Sequence, residues 1–142
     1  MNKVTVRRVM ATSTSDSKGF SPFKERLERK TTKCGEDPAS CWLFTGRKKN
    51  GYGLVDVVIP ERSKVRTTIH AHRLALMIWV TGSWDIPSEL DASHLCGTQN
   101  CVRPSHLVLE SREDNKSRQI CHTYKVCTGH DPRPKCIFPP AQ

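Results

Sequence analysis

The stretch Ser93-His-Leu-Cys-Gly-Thr-Gln-Asn-Cys-Val-Arg-Pro-Ser-His-Leu107 decides how this chain is read. Within it His94, Cys96, Cys101 and His106 place four soft ligands in thirteen residues, and a second group follows at Cys121-x5-Cys127-x2-His130-x5-Cys136. Zinc takes four tetrahedral nitrogen or sulfur donors, and short loops between ligands let one ion order a segment too poor in apolar side chains to fold alone. The second group is a complete Cys3His set, with His122 beside Cys121 as a substitute donor. The first group divides in two ways. His94 and Cys96 stand two apart on an expected strand and share a face, which permits joint ligation without requiring it. If Cys41 is the fourth ligand instead, each site has three cysteines and one histidine, His94 is free for chemistry, and only Cys34 is left over. Cys34 in place of Cys41 is the alternative, since either can reach from the same end of a hairpin.

Working outward, 142 residues suit one domain, and 26% charged with 36% hydrophobic residues describes a soluble globular protein with a modest core. Seven cysteines, an odd number, with no secretory signal ahead of them argue for reduced thiols rather than a disulfide framework. That implies an intracellular, reducing compartment, the nucleus in a eukaryote. The longest apolar run, Leu74 to Val80, falls far short of the roughly 20 residues a membrane span needs, so no membrane association is expected. The net charge of +9 suits a polyanion, nucleic acid foremost.

The charge is unevenly spread. Residues 1–33 hold nine Lys/Arg against three Asp/Glu and a Ser/Thr-rich stretch, and read as a basic, flexible arm with a short helix over Ser21 to Lys30. Residues 34–142 read as the folded domain. There Cys41 to Thr45 is an expected strand, Arg47-Lys-Lys-Asn-Gly51 a turn with a strong hairpin signal, and Tyr52 to Ile59 a second strand. Ser63 to His70 is a third, its basic residues sharing one face, so the sheet of about 41–69 fits a major groove. Ala71 to Val80 reads as a helix stopped at Thr81-Gly82, and Asp91 to His94 as a short strand. Ser111 three residues before Asp114 approximates a capping box for a helix over Arg112 to Ile120. Beyond Cys121 no periodicity remains.

These residues resemble the His-Cys box homing endonucleases, a branch of the ββα-metal (HNH, His-Me finger) nucleases. The likeness is carried by Ser93 to Leu107, by Glu110-Ser-Arg-Glu-Asp-Asn-Lys116, and upstream by Cys41-Trp-Leu-Phe-Thr-Gly46, Gly51-Tyr-Gly53 and Ala71-His-Arg73. It implies an α+β fold: a small antiparallel sheet plus a ββα-metal motif over about 91–120, stabilised by two structural Zn2+ ions per chain. It implies His94 as general base and Asn115 as ligand of one catalytic Mg2+. Cys41, Cys96, Cys101 and His106 would form the first zinc site, and Cys121, Cys127, His130 and Cys136 the second, over 121–136. Family enzymes also carry an arginine on the sheet before the catalytic strand, for which Arg62 and Arg66 are the candidates. His72 is placed either near the site or in packing. Asp114 competes with Asn115 for the metal, but the third position of the helix suits it to capping.

The function so implied is a site-specific endonuclease acting on double-stranded DNA as a homodimer. The neutral Asn115 contributes little charge, so the divalent ion is expected to arrive largely with the DNA. Two other readings share the fold: a zinc-stabilised DNA-binding module without cleavage, and a non-specific or nicking nuclease. The second cluster departs from the best-known members in spacing. Only six residues follow Cys136, where dimeric relatives exchange a longer tail.

Overall fold

The computed structural model describes residues 19–59 and 66–139. The elements run α1 (Ser21–Arg29), β1 (Thr31–Lys33), β2 (Trp42–Phe44), β3 (Lys48–Lys49), β4 (Tyr52–Val58), β5 (Arg66–His70), α2 (Ala71–Leu76), β6 (Leu90–His94), β7 (Leu107–Ser111) and α3 (Arg112–Tyr124). The strands form three antiparallel ribbons, β1–β2, β3–β4–β5 and β6–β7. This is the expected small α+β fold. Among the described residues no helix is long and apolar enough to cross a membrane.

β4 shows how the ribbon takes its two faces. Gly53, Val55 and Val57 are buried, while Tyr52, Leu54 and Asp56 alternate with them. The register pairs Leu54 with His70, Asp56 with Thr68 and Val58 with Arg66, so those side chains share the outer face. There the Asp56 carboxylate accepts from Thr68 Oγ1 at 2.7 Å and from Arg47 at 3.0 Å. Those two neighbours, Thr68 first, hold its pKa below the usual carboxylate value. The turn signal is realised in Asn50 and Gly51, at φ 54° and 87°, which match the twist of the flanking strands.

Beneath the ribbon, Phe44, Val55, Val57 and Ile59 pack with Ala71, Leu74, Leu76 and Trp84 in one apolar core. α1 belongs to this core through Leu27, the preceding Phe20 is buried there too, and β1 pairs with β2. The short helix expected in the basic arm over Ser21 to Lys30 is thus present as α1 and packs through Leu27 on this core. Residues 1–18, the rest of that arm, lie outside the described residues, as does the start of the third strand. The helix expected to run to Val80 is α-helical to Leu76 and continues as a π-turn over Met77–Thr81. The last helix extends to Tyr124, one turn beyond the expected end.

Candidate functional site

β2 is extended by a strand-like loop. Phe44 N–H donates to Asn100 O at 2.9 Å, Val102 N–H to Trp42 O at 2.8 Å, and Leu43 bridges Cys101. This pairing sets Cys41, just before β2, against Cys101. Cys41, Cys96, Cys101 and His106 converge with their ligand atoms all within 4.8 Å of one another, and all four are buried. Zn–S bonds of about 2.3 Å in a tetrahedron put sulfurs roughly 3.8 Å apart, so the donors fit zinc. His106 presents Nδ1 to the sulfurs and donates from Nε2 to Pro38 O at 2.8 Å, the carbonyl partner that orients a ligating imidazole.

Among these ligands the thiols compete. Hydrogen bonds from Cys101 and Cys96 drive Cys41 far below the usual thiol range, while the same contacts, to Cys101 and then Cys41, drive Cys96 far above it. Burial alone would push His106 down, but Cys101, Cys41 and the Pro38 carbonyl hold it up, at about 10. A divalent cation at the centre of the quartet would replace these competing proton contacts, holding the sulfurs as thiolates and His106 as a neutral ligand. His94 lies outside the quartet. Cys34 also lies outside it: its N–H bonds to Cys41 O at 3.0 Å, but it is exposed where Cys41 is buried.

The second quartet, Cys121, Cys127, His130 and Cys136, meets the same 4.8 Å limit. Its sulfurs receive backbone donors, Thr128 N–H to Cys121 and Cys136 N–H to Cys127, each at 3.4 Å. A buried side chain supports it from α3. Arg118 donates to both oxygens of Glu110 at 2.6 and 2.9 Å, to Pro134 O at 2.8 Å and to Cys136 Sγ at 3.7 Å. His122 is not among the ligands. Its ring nitrogens face the carbonyls of Arg118 and Leu95, each at 2.7 Å, and its ring fills the space a Cβ on Gly97 (φ 72°) would need.

Apart from the quartets, a cleft of about 330 Å³ is lined by His94 and Asn115 together with Tyr52, His72, Asp91 and Arg118. His94 ends β6, and its Nε2–H donates to Cys101 O at 2.9 Å. The neutral ring therefore keeps Nδ1 as its acceptor. Burial lowers His94 to about 4, against the opposing pull of the Cys101 carbonyl, so the ring is neutral at pH 7. Asn115 stands in the first turn of α3, where Ser111 Oγ accepts from Asp114 N–H at 3.1 Å. The Asp114 carboxylate stands 3.9 Å from Arg133 Nε. Asn115 Nδ2 donates to Asp91 Oδ2 at 3.1 Å.

Of the two arginine candidates, the one described, Arg66, is not among the residues that line this cleft. Arg66 begins β5, four residues from the cleft-lining His70, and Arg62 lies outside the described residues. Arg73 and Arg118 line the cleft instead, with Arg73 bonded to the carbonyls of Leu90 and Pro87. Sequence reasoning also missed a file of rings. Tyr52 stacks on His70 (centroids 5.1 Å), His70 on His72 (5.5 Å), and His72 lies 4.3 Å from His94. The file joins the outer ribbon to the cleft. Burial keeps His72 neutral, and its Nδ1 has no hydrogen-bond partner among the described residues. Strand alternation was the available signal, since Tyr52 and His70 fall on one face once the hairpin register is known.

Compared with known protein families, residues 40–141 match the model described as the zinc-binding loop region of homing endonuclease.

Proposed function

The chain belongs to the homing-endonuclease zinc-binding-loop family, and from that premise we propose that it is a site-specific endonuclease that hydrolyses DNA phosphodiester bonds. Two Cys3His centres of zinc type and the basic character of the chain support a DNA-bound, metal-stabilised protein. The observation that carries the catalytic reading is the hydrogen bond from His94 Nε2 to the Cys101 carbonyl, which leaves a neutral Nδ1 at a cleft shared with Asn115.

Hydrolysis needs an activated water, an in-line leaving oxygen and positive charge at the phosphorane. His94 Nδ1 takes the proton of the attacking water, and the Cys101 carbonyl holds the ring as it becomes charged. Asn115 suits a hard divalent cation by its side-chain oxygen. Mg2+ held there would supply charge at the scissile phosphate and the leaving 3′ oxygen. Arg118 is bound to Glu110 and to the second quartet, so Arg73, which also lines the cleft and is bonded only to carbonyls among the described residues, is the cation left to meet the phosphate. The outer face of β3–β4–β5, with Lys49, Arg47 and Arg66, enters the major groove, and a homodimer related by two-fold symmetry cuts both strands of a pseudo-palindrome.

The test uses zinc-loaded protein, a randomised duplex library and Mg2+, with sequencing of the ends. Cleavage at a recurrent sequence that disappears in His94→Ala, with DNA binding and two zinc ions per chain retained, is the expected result. Binding without cleavage by the wild type leaves a zinc-stabilised DNA-binding module. Loss of zinc in His94→Ala returns His94 to the ligands.

A further inference from the structure

Asp91 and Glu110 are directly opposed in the β6–β7 ribbon and share a face. Two carboxylates so placed repel, and α3, which packs against both strands, answers them with two residues three apart on one helix face. Arg118 takes Glu110 with two bonds, fully buried. Asn115 takes Asp91. Since Arg118 already neutralises the inner acid, the ribbon has no structural need of a second carboxylate at position 91. Among the described residues the other partner of Asp91 is Arg112, at 3.4 Å and largely exposed, a contact that contributes little by itself.

We propose that Asp91 is a positioning residue for Asn115. An amide has two ends, and a carboxylate that binds Nδ2 leaves Oδ1 as the end offered to the cleft. The charged acceptor also polarises the amide, placing more negative charge on Oδ1 and making a neutral ligand a better one. Asn115 thus works with a carboxylate behind it, and Arg112 offsets part of that charge where a phosphate must approach. The inference rests on the reading of Asn115 as the ligand of the divalent ion. It adds a residue that the family likeness did not supply.

The experiment takes the full, zinc-loaded chain without DNA and titrates Mn2+ while following NMR line broadening at residues 92–94 and 115. Selective broadening there is expected in the wild type. Asp91→Ala should raise the Mn2+ concentration for half-broadening about 10–100-fold, the usual effect of losing a partner behind a ligand. Asp91→Asn keeps an acceptor oxygen and should restore most of it. The Asn115 side chain is a second readout: its bonded Nδ2 proton should resonate downfield, and a wild-type spectrum without that shift overturns the proposal with no variant needed. An unchanged midpoint in Asp91→Ala overturns it. So does Asp91→Asn as weak as Asp91→Ala, which would make the carboxylate a direct ligand. If Asn115→Ala leaves the midpoint unchanged, the ligand assignment itself has failed, and the inference with it.

Discussion

Replacing Arg118 with Met should be the most destabilising single change outside the zinc ligands. The Arg118 and Glu110 side chains are 1% and 0% exposed and joined by two hydrogen bonds. Removing one partner strands a charge in the interior, which costs about 3–5 kcal/mol. A chain of this length loses roughly 4 °C in Tm per kcal/mol, so the expected fall is about 12–20 °C. Met matches the length of the arginine stem, so the cost comes from the unpaired carboxylate rather than from a cavity. The double variant Arg118→Met/Glu110→Leu removes both charges and should recover most of the loss. It will not recover all of it, because the bonds to Pro134 and Cys136 are gone in both variants, at about 1 kcal/mol each. Thermal unfolding by circular dichroism, with zinc content measured on the same samples, decides the matter. A shift of less than about 4 °C in the single variant, or a double variant as unstable as the single, would refute the argument that burial of this pair sets the cost.

Three further outcomes follow from the geometry. Cys34→Ser should keep two zinc ions per chain and an unchanged melting curve, whereas Cys101→Ser or Cys136→Ser should each lose one ion and unfold, as metal analysis beside circular dichroism will show. Binding at a structural zinc centre is worth about 10–16 kcal/mol in isolated fingers, as much as a whole domain's stability, so a strong chelator should abolish the native spectrum. Gly53→Ala drives a Cβ into the Phe44 ring and to 2.9 Å from Ala71 Cβ, an overpacking that should cost about 1–3 kcal/mol in chemical denaturation.

Much of the site was written in local spacing. The second quartet spans sixteen residues and needs no tertiary knowledge. The hairpin turn and the helix start at Ser111 were likewise legible, because Asn-Gly and a capping serine each satisfy a backbone requirement within four residues. What escaped depends on contacts between distant segments. The choice between Cys41 and Cys34 turns on β2 pairing with residues 100–102, a register no local signal encodes. Leu27 and Phe20 sit in so basic a segment that composition masked their periodicity. Asp91 stands three residues before His94 and means nothing until α3 lies over the ribbon.

Cys101 has one further consequence. Its sulfur belongs to the first quartet, while its carbonyl holds His94. Under the proposed activity, the loop that aligns the base would be ordered by the same ion that the first quartet captures. A protein that severs DNA would thus be harmless by default, and the supply of zinc in the cell, rather than the abundance of the polypeptide, would set how many active cutters exist at any moment.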